Sequence, residues 1–294
     1  MRDDIPFYDI IIAMRRRTRR KLKKSMKIGI VFLCALFVFV MWLIPYHRRK
    51  VLEEESQLIS FEYEWPTHKY DWDNLKKDGT RYSYQDDNYT SLTGIDVSSH
   101  QGTIDWEKTG KDNIDFAMIR CGYRGAADGT INEDEQFEAN IKGAQANDIR
   151  TGVYFFSQAV SVEEAAEEAD YVISKVKNYK LDMPVVFDLE EMADGSGRTT
   201  SLSAEERTRM AVTFMNRVED AGYTPMVYNS SSLLSSRYDL EYLQPYMVWA
   251  AEYGTEYPSF PYEFEMWQYT NEGQAAGINT NVDMDLWFVK KDAE

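Results

Sequence analysis

Cysteine and histidine are scarce in this sequence. Its 294 residues include two cysteines and three histidines. Cys34 lies in a long apolar run and Cys121 in a separate apolar stretch, so we expect no disulfide between them. So few thiols and imidazoles exclude metal sites of the Cys/His type, and no metal or cofactor is expected. An exported domain without a disulfide fits a Gram-positive-like bacterial surface better than a eukaryotic secretory route.

Long hydrophobic runs are also scarce, and the sequence has only one. Ile28–Tyr46 carries no charge, and as a helix it is long enough to cross a bilayer core of about 30 Å. The alternative is a cleaved signal peptide, but the run is longer than a usual signal-peptide core and no A-x-A-like site follows it. We therefore expect one transmembrane helix over residues 28–46.

Positive charge is concentrated before the apolar run. Arg48, Arg49 and Lys50 are the firm positive charges directly after it, whereas residues 15–27, directly before it, hold nine: Arg15, Arg16, Arg17, Arg19, Arg20, Lys21, Lys23, Lys24 and Lys27. This asymmetry predicts a single-pass protein of the cell membrane, with a cytoplasmic tail at residues 1–27 and the rest outside the cell. A basic run beside a membrane segment is explained by orientation and by contact with anionic lipid.

Positive charge is in deficit over the remaining chain. The whole sequence has 33 Lys and Arg against 49 Asp and Glu, and almost all of the acidic residues follow residue 50. A domain this acidic is a poor ligand for nucleic acid, so no nucleic-acid partner is expected. Its substrate is expected to be neutral or to carry amines.

Residues 47–90 show no clear hydrophobic periodicity. They are polar and charged with scattered aromatic side chains, and we interpret them as an extracellular spacer that packs partly on the domain. From Thr93 onward, strand-like and helix-like runs alternate. Strands are predicted at Thr93–Val97, Phe116–Gly122, Gly152–Ser157, Pro184–Glu190, Pro225–Asn229, Tyr246–Ala251, Glu263–Tyr269 and Val282–Val289. Helices are predicted at Glu133–Asn147, Val162–Asn178, Ala204–Ala221 and Ser231–Leu243.

This alternation predicts an α/β fold with a parallel sheet. Ser161 and Ser203 are suited to cap two of the helices, with Glu164 and Glu206 three residues further on, as in capping boxes. The later strands follow too closely to leave room for full helices. About eight strands in roughly 200 residues therefore predict a TIM-like barrel that lacks its last helices.

Two carboxylates end the fourth predicted strand. Asp188 and Glu190 are two residues apart, so they share one face and their Cα atoms are separated by about 6.6 Å. Like charges this close raise one pKa, so that one group acts as an acid while its neighbour stays ionised. This is the chemistry that protonates a glycosidic oxygen. The spacing leaves open whether the second group is a base, a nucleophile or a helper.

Polar and aromatic side chains collect at the ends of the other strands, where the active sites of such barrels lie. Asp96 and Asp283 are the further acidic candidates. For substrate binding, Gln268 and Glu252 are polar candidates, although a solvated strand end is the simpler interpretation of Glu252. The aromatic candidates either pack in the core or stack on sugar faces: Tyr154, Tyr228, Trp249 and Trp267.

Several of these segments resemble a known family, glycoside hydrolase family 25, the Chalaropsis-type lysozymes. The opening Gly94-Ile-Asp-Val-Ser-Ser-His-Gln-Gly102, followed by Ile104-Asp-Trp106, carries the resemblance together with Phe187-Asp-Leu-Glu190. Further matching segments follow in the family's order: Gly152–Ser157, Val227–Asn229, Trp249–Ala251, Met266–Tyr269 and Val282–Asp285. The resemblance covers about residues 91–292, which we take as the barrel domain.

The resemblance implies an irregular (β/α)5(β)3 barrel that cleaves the β-1,4 bond between N-acetylmuramic acid and N-acetylglucosamine in peptidoglycan glycan strands. It implies that Glu190 is the catalytic acid/base, that Asp188 assists the 2-acetamido group, and that Asp96 and Asp283 are further active-site carboxylates. The sequence departs from the family at two positions. Phe155 stands where histidine is frequent, and Asp285 where asparagine is frequent.

Two other functions are compatible with the same segments. One is a peptidoglycan-binding module that has lost activity, although all four acidic positions are present. The other is a scaffolding subunit of a wall-spanning secretion or conjugation complex, a context that a membrane tether favours. The main expectation is a membrane-anchored muramidase that remodels or locally opens the cell wall.

Overall fold

The computed structural model describes residues 36, 37, 39–54, 57, 65–192 and 194–291. The chain divides into two compact units, Met1–Glu53 and Glu54–Glu294. In the first unit the described residues up to 53 are helical. No helix among the described residues combines the length and the apolarity that a bilayer crossing requires. Residues 28–35 and 38 of the predicted membrane segment, and the predicted tail at 1–27, lie outside the described residues.

The second unit is built on a closed barrel of eight strands, which confirms the predicted fold class. The strands, numbered in chain order with the small ones outside the barrel, are β1 (Leu75–Asp78), β2 (Arg81–Tyr84), β3 (Tyr89–Val97), β4 (Phe116–Arg124), β5 (Ile131–Glu133), β6 (Arg150–Ser157), β7 (Val185–Leu189), β8 (Pro225–Ser230), β9 (Met247–Ala251), β10 (Met266–Gly273) and β11 (Val282–Lys290). The barrel order is β3-β4-β6-β7-β8-β9-β10-β11, and β11 pairs with β3 to close it.

Helices follow the first five barrel strands only. They are α1 (Trp106–Gly110), α2 (Phe137–Ala146), α3 (Val162–Val176), α4 (Ala204–Asp220) and α5 (Ser231–Arg237). The connections after β9 and β10 contain no α-helix. The barrel strands are parallel from β3 to β10, whereas β11 is antiparallel to both of its neighbours. The sequence did not predict this reversal, nor the short elements α1 and β5.

The helix caps explain where two of the outer helices begin. Ser203 and Glu206 form a reciprocal capping box, with Ser203 N donating to Glu206 at 2.9 Å and Glu206 N donating to Ser203 Oγ at 3.2 Å. Ser161 also caps α3 by accepting from Glu164 N at 3.3 Å. The carboxylate of Glu164 does not complete a box there, because it pairs with Arg198 at 2.8 Å.

Side chains alternate between the barrel interior and the layer outside it. Phe116, Met118 and Met266 belong to the interior apolar cluster. Gly94 faces this interior, where a Cβ atom would lie 2.1 Å from the Phe116 ring. A larger residue at position 94 would therefore clash with that ring.

One interruption of the alternation lies in β4. Arg120 pairs with Tyr154 and Gly122 with the next residue of β6, so that Cys121 is an extra residue in a bulge. The bulge shifts the pattern by one residue. Arg120 faces the interior, and Arg124 faces outward to α3.

Residues 65–90, which the sequence places in a spacer, are part of the barrel unit in the structure. The hairpin β1–β2 and the segment before it cover the outer face of the strands that have no helix. Tyr70 stacks on Phe288 with ring centroids 4.2 Å apart, and Tyr82 lies 5.1 Å from Trp267. This aromatic layer replaces the missing helices as the cover of β10 and β11, and β3 already begins at Tyr89.

Candidate active site

A cavity of about 280 Å³ lies at the ends of the barrel strands. Because the parallel strands all point the same way, their carboxyl ends meet at this mouth, and β11 enters the barrel there. Four carboxylates line the cavity, namely Asp96, Asp188, Glu190 and Asp283. Its other lining residues are Arg120, Tyr154, Phe156, Tyr228, Trp249, Tyr253, Gln268 and Asn271. The structure thus brings together all four predicted catalytic carboxylates.

Asp188 and Glu190 form the first pair of carboxylates. Asp188 lies in β7 and is 3% exposed, and Glu190 directly follows the strand. The backbone carbonyl of Glu190 accepts hydrogen bonds from Gln158 Nε2 at 2.8 Å and Thr199 Oγ1 at 2.7 Å. These bonds hold the chain in place after it leaves the sheet, so the position of Glu190 is fixed.

Burial raises both pKa values of this pair. Burial raises the pKa of Asp188 well above its usual range and the adjacent charge of Glu190 raises it further, while Arg120 opposes the shift. Burial also raises the pKa of Glu190, a hydrogen bond with Asp188 lowers it, and the charge of Asp283 raises it. Two carboxyls that are hydrogen-bonded to each other must share a proton. The pair therefore has one group that can donate a proton and one that stays charged.

Asp134 and Ser99 hold the side chain of Arg120 in the cavity wall. Its Nε donates to Asp134 Oδ2 at 2.8 Å and its Nη2 to Ser99 Oγ at 3.1 Å. Asp134 also accepts from the backbone N–H of Ser99 at 3.0 Å. These contacts fix the guanidinium of Arg120 beside Asp188. The positive charge of Arg120 is already paired with Asp134.

A second carboxylate cluster faces the first. Asp96 and Asp283 are paired in the β3–β11 register, and Asp285 lies below them. Burial raises the pKa of Asp96 well above its usual range, with further increases from the charges of Asp283 and Asp285. Burial raises the pKa of Asp283 to about 6, although a hydrogen bond with Asp96 lowers it. Gln268 Nε2 donates to Asp96 at 2.6 Å, which fixes the orientation of that carboxyl group.

Aromatic rings form the remaining wall. Tyr228 and Trp249 pack edge to face with centroids 4.6 Å apart, and Tyr154 packs against Trp249 at 6.3 Å. The Trp249 indole donates to Asp285 Oδ1 at 3.0 Å, and Tyr228 Oη donates to Gln268 Oε1 at 2.8 Å. Tyr253 Oη donates to the same amide oxygen. These bonds link the rings to the carboxylates they surround.

The structure does not bring two of the predicted substrate-binding residues into this cavity. Trp267 is fully buried on the outer face of β10, packed against Tyr82, because it alternates with the inward-facing Gln268. The carboxylate of Glu252 accepts from the backbone N–H and hydroxyl of Ser259 at 2.7 and 2.9 Å, and lies in a neighbouring cavity. Glu252 therefore stabilises its own loop, and Trp267 is a core residue.

Several lining residues were not predicted from the sequence. Arg120 was detectable as a charge within an apolar strand, whereas Phe156, Tyr253 and Asn271 carry no such signal. Phe155, one of the two departures from the family pattern, does not line the cavity, because it is buried beside Tyr171 under α3. Among the described residues, no three His, Cys, Asp or Glu side chains are arranged to hold one metal ion.

Comparison with known proteins identifies similar chains. The model of the family described as Glycosyl hydrolases family 25 matches residues 95–278. Lysozyme M1 of Streptomyces globisporus is 26% identical over 204 residues, which cover 66% of this chain and 67% of that protein.

Two solved structures show the same similarity. The modular autolysin LytC of Streptococcus pneumoniae, solved with a synthetic peptidoglycan ligand, aligns with a TM-score of 0.60 and 25% identity over 73% of this chain and 52% of LytC. A family 25 glycosyl hydrolase of Bacillus anthracis aligns with a TM-score of 0.57 and 26% identity, over 72% of this chain and 94% of that one. This chain thus spans about half the length of LytC.

Proposed function

Because the chain belongs to family 25 of the glycosyl hydrolases and is a glycosidase of that family, we propose that it is a membrane-anchored N-acetylmuramidase. Its substrate is peptidoglycan, cut at the β-1,4 bond between N-acetylmuramic acid and N-acetylglucosamine. The observation that carries this proposal is the Asp188–Glu190 pair at the end of β7, with Asp188 buried and Glu190 half-buried, which lines the cavity opposite Asp96 and Asp283. Glycosidic cleavage needs such an acid together with a charge that stabilises an oxocarbenium-like centre.

In the free protein the pKa shifts favour the shared proton on Asp188. In the proposed reaction this proton passes to Glu190, which donates it to the bridging oxygen as the bond from that oxygen to C1 of the muramic acid breaks. The acetamido oxygen of the same sugar attacks C1, and the Asp188 carboxylate orients the acetamido N–H and stabilises the positive charge that develops. Water then attacks C1 as the bond from C1 to the acetamido oxygen breaks, and it gives a proton to Glu190, which restores the acid. Asp96 and Asp283 lie across the cavity from this pair and bind polar groups of the sugar.

The aromatic wall provides the sugar-binding surface. Tyr154, Tyr228 and Trp249 present ring edges and faces to the cavity, and pyranose rings have apolar C–H faces that pack on such surfaces. Gln268 contributes by fixing the orientation of Asp96. The aromatic rings therefore bind the uncharged faces of the sugar, and the carboxylates of the same cavity carry out the reaction.

The membrane anchor is the second part of the proposal. It is supported by the uncharged run Ile28–Tyr46 and by the excess of basic residues before it. A tethered hydrolase acts on the wall close to the membrane, which suits local remodelling or opening of the cell's own wall, alone or within a wall-spanning complex.

The test of the hydrolase is purified peptidoglycan treated with the full chain, beside the variants Glu190→Gln and Asp188→Asn. We expect reducing N-acetylmuramic acid, identified by mass spectrometry, from the unsubstituted chain only. If a folded chain releases no reducing sugar but still sediments with peptidoglycan, the hydrolase proposal is replaced by a binding or scaffolding role.

The test of the anchor is fractionation of cells that produce the full chain or a chain lacking residues 28–46. We expect the full chain in the membrane fraction and the deleted chain outside it. Recovery of the uncut full chain in the soluble fraction would overturn the anchor without affecting the hydrolase.

A further inference from the structure

A second and larger cavity, of about 520 Å³, lies next to the catalytic one. One side of it is formed by the β1–β2 hairpin, through Lys77, Gly79, Thr80 and Tyr82. The other side is formed by the loop after β9 and by the end of β10, through Gly254, Thr255, Glu256, Tyr269, Thr270, Glu272 and Gly273. The hairpin precedes residues 95–278, so this side lies outside the segment that matches the family model.

The two cavities share a wall. Residues close together in the chain line different cavities. Tyr253 and Asn271 line the catalytic cavity, whereas Thr255, Thr270 and Glu272 line the second one. Since adjacent side chains of an extended segment point to opposite sides, the wall is only as thick as that segment. A substrate in the catalytic cavity therefore needs only a short branch to reach the second cavity.

The hairpin that forms the cavity is firmly held. Arg81 donates to Asp112 Oδ2 at 2.5 Å, and Tyr84 Oη lies 2.9 Å from the N–H of Asp71, which donates to it. The ring of Tyr82 packs against Tyr269 with centroids 5.0 Å apart. The cavity is therefore a fixed feature of the folded unit.

The lining of the second cavity carries charges of both signs. Lys77 Nζ lies 4.9 Å from the centroid of the Tyr82 ring, and Glu256 and Glu272 are exposed on the opposite side. None of these three charges forms an ion pair with another described residue. The hydroxyl of Thr255 is buried and makes no hydrogen bond within the described part of the chain. Such a lining suits a ligand that carries both amines and carboxylates.

We propose that this second cavity binds the stem peptide of peptidoglycan. The inference rests on the proposed function. The stem peptide branches from the muramic acid that the catalytic cavity would hold, and it carries amino as well as carboxyl groups, whereas the N-acetylated glycan carries no amine. Glu256 and Glu272 bind an amine of the peptide, and Lys77 binds a carboxylate. The wall shared by the two cavities brings the branch point close to the second cavity.

The experiment compares glycan strands that retain their stem peptides with the same strands after an amidase has removed the peptides. We expect the full chain to cleave the peptide-bearing strands with a kcat/KM about tenfold higher, the effect of two or three partly screened charge pairs. The double variant Glu256→Gln/Glu272→Gln should lose this preference and cleave the bare strands at the unsubstituted rate. The matched control is Glu219→Gln, an exposed carboxylate at the end of α4. It should keep the preference.

Equal cleavage of the two substrates by the unsubstituted chain, or equal losses on both in the double variant, would overturn the inference and leave the hydrolase in place. Cleavage of neither substrate would instead count against the proposed function. Titration with a free synthetic stem tetrapeptide measures the second cavity without catalysis. Weaker binding by the double variant supports the site, and binding unchanged by the substitutions overturns it.

Discussion

Glu168 and Asp188 are both buried carboxylates of the barrel unit, yet their surroundings differ. Glu168, on α3, accepts from Arg124 Nε at 2.6 Å and from Ser157 Oγ at 2.6 Å. Burial still raises its pKa to about 7. Asp188 has one carboxyl oxygen without a hydrogen-bond partner in the described structure, and its neighbour is another carboxylate. Both carboxylate oxygens of Glu168 thus accept hydrogen bonds, whereas one oxygen of Asp188 accepts none within the described structure.

The two arginines of β4 account for much of this difference. Arg124 has its side chain 4% exposed and gives its charge to Glu168. Arg120 faces Asp188 but donates its hydrogen bonds to Asp134 and Ser99. The carboxylate with a dedicated arginine stabilises the attachment of α3 to the barrel. The Asp188 carboxylate, whose arginine is engaged elsewhere, has its pKa raised by burial and by the neighbouring charge of Glu190, so it is poised to exchange a proton with Glu190.

The largest effect that separates the two sites is expected from Glu190→Gln. This change removes the proposed acid and should lower kcat/KM about 10³-fold, within the range for a general acid. Stability should not fall, because the change also removes a buried charge repulsion. The measurement is the initial rate of reducing-sugar release together with thermal unfolding. Glu168→Gln is the matched control. If it lowers kcat/KM as much as Glu190→Gln, the distinction between the two sites is wrong.

The next effect is expected from Arg124→Met, which leaves Glu168 buried without its counter-charge. Breaking such a pair costs about 3–5 kcal/mol in the free energy of unfolding. Urea denaturation followed by circular dichroism measures this loss. Arg209→Met, a half-buried arginine of α4 whose ion pair with Glu205 lies at the surface, serves as the control. A loss below about 1 kcal/mol would mean that the Arg124–Glu168 pair contributes little to stability.

A smaller effect is expected from Arg120→Gln. Since Arg120 lowers the pKa of Asp188, its removal should raise that pKa further. The pH profile of kcat/KM should then move to higher pH, with a decrease of about tenfold on its acidic side, equivalent to one pKa unit. Arg209→Gln should leave the profile in place. An unshifted profile for Arg120→Gln would show that Arg120 does not tune the pair.

The smallest effect is expected from Asp285→Asn, the residue that the family resemblance predicts at this position. Burial raises the pKa of Asp285, so its contribution to stability is full below the unfolded pKa near 3.8 and is lost as pH rises toward the folded pKa. The variant should therefore be more stable than the unsubstituted chain at pH 7, by about 1 kcal/mol as is usual for a single substitution, and no more stable at pH 3.

Paired thermal melts at the two pH values measure this difference for Asp285→Asn. Asn should retain the bond from the Trp249 indole, so the wall of the catalytic cavity stays intact. Equal stability of the variant and the unsubstituted chain at both pH values would show that Asp285 is not a source of strain.

The sequence predicted the parts of the fold that depend on local patterns. The eight barrel strands follow from their apolar runs, and the starts of α3 and α4 follow from Ser161 and Ser203. The four carboxylates of the cavity were predictable because parallel strand ends meet at one mouth. In each case a short segment contains the whole physical cause.

The features that sequence patterns missed depend on distant contacts. The sequence allowed Trp267 to be a sugar-binding residue. In the structure, the aromatic layer from residues 65–90 covers the outer face of β10 and buries Trp267. That layer has no periodicity, because its side chains pack individually on strands distant in sequence. Likewise, the inward direction of Arg120 and the outward direction of Arg124 depend on how β4 pairs with β6.

The bulge at Cys121 also determines which changes in chain length β4 can accept. On a regular strand, arginines four residues apart would lie on the same face. Arg120 therefore points into the barrel and Arg124 points outward only because of this single extra residue. Removing Cys121 would restore the regular alternation and turn either Arg120 or Arg124 to the wrong side of the strand. Replacing Cys121 by alanine keeps the count. Length, more than side-chain identity, is therefore the property that selection must preserve at this point of the chain.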